Sequence, residues 1–226
     1  MNGLTGQIYC AAVNFAILNS DIFRAKTRQR SFQKLTWKIL LLLFIKQIVF
    51  CFAYHFKSMK YQEYLTIFQT AASKLDKKIF QQKQLEIYTG IVLDSVCLKL
   101  YKKQWANNED DSLNATSRIF FSIWMGDKTM QEGKIYYNIH AFKLRQLKGY
   151  SITSRQFAED FRTLFKLQKQ NWENVSTNFG PLTLMEGWII FSEENLEKII
   201  LQLANQFLNI ENLVDQTLAN FKIKNK

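Results

Sequence analysis

Residues 118–144 read RIFFSIWM, then GDKTMQEG, then KIYYNIHAFKL, and these two apolar arms around a turn decide the fold. Aromatic and β-branched residues fill both arms, the composition that suits a pleated, half-buried surface. Gly126 and Gly133 bracket the connection, so the stretch reads as an antiparallel hairpin. The connection is longer than the two-residue ideal, which leaves the register open. In the second arm Ile135, Tyr137, Ile139 and Ala141 share one face, while Tyr136, Asn138 and His140 share the other. A hydrophobic face backed by a polar-aromatic one is the pattern of an antiparallel sheet covered on one side.

Working toward the N-terminus, Val96, Leu98 and Leu100 alternate with Cys97, Lys99 and Tyr101, and Leu85 and Ile87 alternate with polar neighbours. Both are the two-residue period of strands. The polar stretch 106–117 (ANNEDDSLNATS) reads as a loop. Before the strands, Tyr61, Tyr64, Leu65, Phe68, Ala71, Ala72 and Leu75 recur at three- and four-residue spacing and predict an amphipathic helix beginning the 60–80 region. Toward the C-terminus, Thr153 and Gln156 stand at capping-box spacing. They open a helix whose apolar face is predicted to run through Phe157, Phe161, Leu164, Phe165, Gln168 and Trp172. Gly180-Pro181 marks a loop, Trp188–Phe191 a short strand, and Ser192 is placed to N-cap a helix with its stripe on Leu196, Ile199, Ile200, Leu203 and Phe207. Leu213 to Phe221 reads as a last helical piece. The expected fold is therefore α+β: an antiparallel sheet of about four to five strands with helices packed on one face, preceded by a hydrophobic N-terminal helical segment.

Charge divides the chain. Residues 1–58 hold eight basic side chains against the single acid Asp21, which is +7 of the formal +11. The remainder, 59–226, is nearly balanced and reads as a single α+β domain, so the overall basicity is a weak argument for nucleic acid. Within 1–58 the apolar run 39–54 is interrupted by Lys46 and Gln47 and is shorter than the roughly 20 residues a spanning helix needs. Three readings of 1–58 stand side by side: an extension upstream of a natural start at Met59, a membrane anchor, and a packed helix. The matching locations are the cytoplasm or, for the anchor, a single-pass membrane protein with its N-terminus on the cytoplasmic side, where the basic residues Arg24 to Lys38 would hold it.

The chemistry-bearing residues are sparse. The chain has two histidines, His55 and His140, and three widely spaced cysteines, Cys10, Cys51 and Cys97, with neither zinc-ligand nor redox spacing. Neither a metal nor a cofactor is expected. Glu109, Asp110 and Asp111 lack the alternating spacing and glycine of a calcium loop and read as solvated. The sequons at Asn114 and Asn174 are what an Asn-rich chain without a secretory signal produces by chance. No phosphate-cradling glycine loop, nucleophile elbow or dinucleotide fingerprint occurs.

What remains is the strand face of Tyr136, Asn138 and His140, read as a ligand-binding strip, with His140 the one candidate for a catalytic acid or base. The expected function is a non-catalytic binding or interaction module with a protein or small-molecule partner. The alternatives are a small hydrolase-like enzyme pairing His140 with Asp111 or Glu186, a weak nucleic-acid binder using Lys143, Arg145 and Arg155 within the basic run that includes Lys148 and Arg162, and a membrane-anchored domain. If 1–58 is dispensable, a chain beginning at Met59 will express solubly and unfold in one cooperative transition by circular dichroism. Aggregation of that chain, rescued by restoring 1–58, would show instead that the segment covers an apolar face of the domain.

Overall fold

The computed structural model describes the backbone of residues 30–223 and the side chains of 40–50 and 59–223. Cys10 and the basic residues Arg24, Lys26 and Arg28 lie outside the described residues, as do the side chains of Lys34, Lys38, Cys51 and His55. The chain divides into two units between Phe56 and Lys57. Helix α1 (Arg30–Ser73) crosses that division. In the first unit Leu40–Leu43, Val49 and Phe50 of this helix stand exposed. Among the described residues no helix is long and apolar enough to cross a membrane, so the anchor reading of 39–54 finds no span there; Lys46 and Gln47 break the run.

In the second unit Tyr61, Tyr64, Phe68 and Ala71 of α1 are buried, the three- and four-residue spacing of one helical face. The helix stops short of the predicted region's end, because Asp76 restarts the chain as a separate turn, α2 (Lys77–Gln82), by accepting from the backbone N–H of Lys78 at 2.9 Å. Five strands follow in order, β1 (Glu86–Val92), β2 (Ser95–Tyr101), β3 (Arg118–Gly126), β4 (Lys134–Phe142) and β5 (Thr183–Ile190), forming one antiparallel sheet in sequence order. Leu93 and Asp94, both at positive φ, make the two-residue turn between β1 and β2. The longer β3–β4 connection, expected as the turn of a hairpin, holds a short helix, α3 (Asp127–Gln131). After the sheet come α5 (Leu196–Leu208) and α6 (Glu211–Ala219), while α4 (Ser154–Phe165) lies between β4 and β5.

Helices pack on one face. The register aligns Leu98, Ile123, Tyr137 and Gly187 across four strands, and Leu100, Phe121, Ile139 and Met185 beside them. Phe121 stacks on Phe207 of α5 with ring centres 4.7 Å apart and meets Trp105 edge-on at 5.4 Å. A side chain at Gly187 would collide with the Tyr137 ring, which is held by Trp172 at 5.2 Å and donates a hydrogen bond to the Glu173 carbonyl. The glycine is needed so that a large aromatic can lie across the neighbouring strand.

Several local readings change. Thr153 does cap α4, accepting from the Gln156 N–H, but that helix ends at Phe165, and Trp172 reaches the core after a 3₁₀ turn (Lys169–Asn171) rather than from the helix itself. The last strand starts at Thr183, five residues before the predicted start, because the ladder with β4 extends back to His140 opposite Thr183. Ser192 does not cap α5. Asn195 holds the N-cap position, and its side chain turns back to accept from the Ser192 N–H at 2.8 Å.

One buried ionic cluster ties the sheet to α6. Lys102, 5% exposed, sits 2.5 Å from Glu211 and 2.6 Å from Asp215, while Lys83 meets the other Glu211 oxygen at 2.8 Å and the Trp105 indole donates to Asp215 at 2.7 Å. Removing one partner of a buried pair leaves an uncompensated charge. Lys102→Met is therefore expected to lower the unfolding free energy by about 3 kcal/mol in urea titrations. The double variant Lys102→Met/Glu211→Gln will recover part of that loss, and additive losses would show that the two groups do not act together.

Candidate functional site

The second face of the sheet carries the polar and aromatic residues. Its middle cross-strand row is Tyr88, Lys99, Ser122, Asn138 and Glu186. On one side lies the row Gly90, Cys97, Trp124, Tyr136 and Trp188, and on the other Phe120, His140 and Thr183. A polar row thus runs between two aromatic ones. Alternation places these side chains here, because the helix layer takes every second residue of each strand.

The row is polar yet withdrawn from water. Asn138 is 2% exposed, Ser122 is 5% and Lys99 is 9%. Asn138 donates from Nδ2 to Glu186 Oε2 at 3.0 Å, but its Oδ1 is buried with no partner among the described residues. An unpaired buried acceptor costs roughly 1–3 kcal/mol, so its persistence needs a reason. The Trp124 and Tyr136 rings lie tilted to each other with centres 5.2 Å apart, and Lys134 Nζ lies 4.6 Å from the centre of the Trp188 ring.

Phe120 is the hub of the other side. His140 lies 5.4 Å and Phe142 5.5 Å from it, and His140 stacks on Phe142 at 5.1 Å. Lys99 Nζ is 4.8 Å from the Phe120 ring centre, and the Arg118 guanidinium is 5.6 Å from Phe120 and 5.4 Å from Phe142. Arg118 spends one terminal nitrogen on the Ala115 carbonyl, and its Nε is buried without a partner among the described residues. Burial pushes the Lys99 and Arg118 pKa values down; for Lys99 Cys97 opposes that and the Arg118 charge adds to it, and for Arg118 the Asp111 charge opposes it.

His140 is half-buried. Its Nδ1 lies 3.3 Å from the Leu182 carbonyl and 3.2 Å from the Thr183 hydroxyl. With a proton on Nδ1 the ring donates to the Leu182 carbonyl, and without one Nδ1 accepts from the Thr183 hydroxyl, so both tautomers find a partner here. Burial lowers the His140 pKa, the Leu182 carbonyl and Glu186 oppose that, and the Lys99 and Arg118 charges reinforce it.

Tyr136, Asn138 and His140, the strip read from sequence, share this face. Neither carboxylate named as a partner for His140 hydrogen-bonds to it. Glu186 is engaged by Asn138, and Asp111 accepts from Asn114 at 3.0 Å. Among the described residues no group of carboxylate, cysteine and histidine side chains is placed to hold a metal ion. The basic run comes apart. Lys143, Arg145, Lys148 and Arg155 are exposed, whereas Arg162 binds the carbonyls of Phe179, Gly180, Thr183 and Leu184 and fastens the loop ahead of β5. Sequence reading did not single out Lys99, Arg118, Phe120, Phe142, Trp124 or Trp188. The one signal was Lys99 itself, a lysine in the middle of an otherwise apolar strand.

With His55 replaced by Gln, His140 gives a single imidazole signal in an NMR titration, and its midpoint is expected below the unperturbed value of about 6.5. Because the unfolded state then binds the proton more readily, stability falls as pH drops from about 6.5 toward the folded-state pKa. His140→Phe should remove that part of the acid sensitivity, and a midpoint at or above about 6.5 would contradict it. Compared with protein-family models, with curated proteins and with solved structures, the chain matches none.

Proposed function

We propose that the chain is a non-catalytic binding module for a small molecule, with the sheet face around Tyr136, Asn138 and His140 as its site. The observation that carries this reading is the buried polar row with open hydrogen-bonding capacity, set between two aromatic rows. Small-molecule sites combine a largely apolar and aromatic surface with a few placed polar groups. A face that served only to meet water would expose its polar atoms rather than bury Asn138 to 2%.

The catalytic alternative lacks a second group. General acid–base chemistry needs partners within hydrogen-bond reach, and the polar partners of His140 are a carbonyl and a hydroxyl. The nucleic-acid alternative retains the exposed Lys143, Arg145 and Arg155 but loses Arg162 to the loop.

A screen of chemically varied small molecules by thermal shift and tryptophan fluorescence tests the proposal. A ligand of this face will change the emission of Trp124 or Trp188. Tyr136→Ala and Asn138→Leu will each weaken it by about tenfold, equivalent to about 1.4 kcal/mol. Ligands whose affinity is untouched by both variants, in proteins that melt normally, would place binding elsewhere and remove the reading.

A further inference from the structure

Lys99 is the residue that the fold does not explain. It projects from the centre of β2, is 9% exposed, and has neither an ion pair nor a hydrogen-bond partner among the described residues. Its ammonium lies instead over the Phe120 ring face. Lys102, three residues further on and also buried, shows what a structural lysine looks like here, with two carboxylates against it. Stability alone would put an apolar residue at Lys99, because burying an uncompensated ammonium is expensive. A second cation stands at the same ring: Arg118, with its Nε buried and unpaired among the described residues. The carboxylate of the polar row, Glu186, is three strands away and bound to Asn138.

We infer that the Lys99–Arg118–Phe120 corner binds the carboxylate of a small planar acid whose ring lies along the Phe120, His140 and Phe142 side chains. This rests on the proposed binding function and assigns the ligand class. Lys99 has no carboxylate against it, and Arg118 feels the Asp111 charge without an ion pair to it among the described residues, so the excess positive charge of this corner specifies an anion and the aromatic side chains a flat apolar body. The free donors are the Lys99 ammonium and Arg118 Nε, which suit the two oxygens of a carboxylate. Phosphate sites add backbone N–H groups from helix N-termini or nests. In this corner the backbone belongs to strands rather than to a helix N-terminus or nest, so the anion would be held by the Lys99 and Arg118 side chains alone. The orphaned Asn138 Oδ1, two strands from Lys99, would accept from a hydroxyl or amine on the same ligand.

The full chain is titrated with benzoate, 4-hydroxybenzoate, benzamide, benzylammonium, phenyl phosphate and inorganic phosphate. The readouts are the indole N–H signals of Trp124 and Trp188 and the ring signals of His140. Benzoate is expected to bind at least about tenfold more tightly than neutral benzamide, 4-hydroxybenzoate more tightly still, and benzylammonium not at all. Arg118→Gln and Lys99→Met should each erase the preference for benzoate over benzamide, while Lys99→Arg retains it. Lys99→Met should also raise the melting temperature, since it removes a charge kept for binding. Benzamide binding as well as benzoate overturns the carboxylate assignment and leaves the binding face standing. Preference for phenyl or inorganic phosphate overturns it as well. A lowered melting temperature in Lys99→Met with benzoate binding intact makes Lys99 structural and overturns it too. If none of the ring compounds perturbs the Trp124, Trp188 or His140 signals, the inference and the proposed site both fall.

Discussion

Phe121 sits fully buried on the central strand, stacked on Phe207 of α5 and edge-on to Trp105. Removing it would cost about 3–5 kcal/mol, the range for truncating a large core aromatic, and would unseat two elements together. Its consequence is directional. A strand has two faces, and once Phe121, Ile123 and Ile119 are committed to the helix layer, Phe120, Ser122 and Trp124 must face the other way. The polar-aromatic face is the geometric complement of that packing.

The two faces spend stability differently. On the helix side the contacts are apolar, and the buried charge cluster is compensated, with Lys102 and Lys83 opposed by Glu211 and Asp215. On the other side Asn138 Oδ1 and Arg118 Nε are buried atoms with no partner among the described residues, and Lys99, 9% exposed, has no ion pair among them. Each such group works against folding by an amount of the order of 1–3 kcal/mol, a large share of a domain's net stability. Packing alone gives no account of such groups on one face, and the proposed binding function starts from them.

The loop ahead of β5 shows how charge can mislead. Arg162 belongs to a run of basic residues that could track phosphates, yet four backbone carbonyls occupy its guanidinium. These carbonyls lie on both sides of Pro181, which has no N–H of its own to give, so the fork of Arg162 adds donors where the backbone is short of them. The same loop supplies the Leu182 carbonyl beside His140 Nδ1, so Arg162 acts on the face indirectly, by holding that loop in place.

The sequence by itself determined what is local: the two-residue period of β2, β3 and β4, the amphipathic helices, the cap at Thr153, and the strip of Tyr136, Asn138 and His140 on one face. Those features follow from neighbours within a few residues, where backbone geometry fixes which side chains align. It misplaced the ends of elements: Ser192 was expected to cap α5, where Asn195 holds that position, and the last strand was expected from Trp188, where it starts at Thr183. The tertiary structure alone decided that Lys99 and Arg118, 19 residues apart, flank one phenyl ring, that Lys102 finds carboxylates while Lys99 does not, and that Glu186 belongs to Asn138 rather than to His140. Each of these depends on register across the sheet and on which helix closes over which face, and neither is encoded in the spacing of residues along the chain.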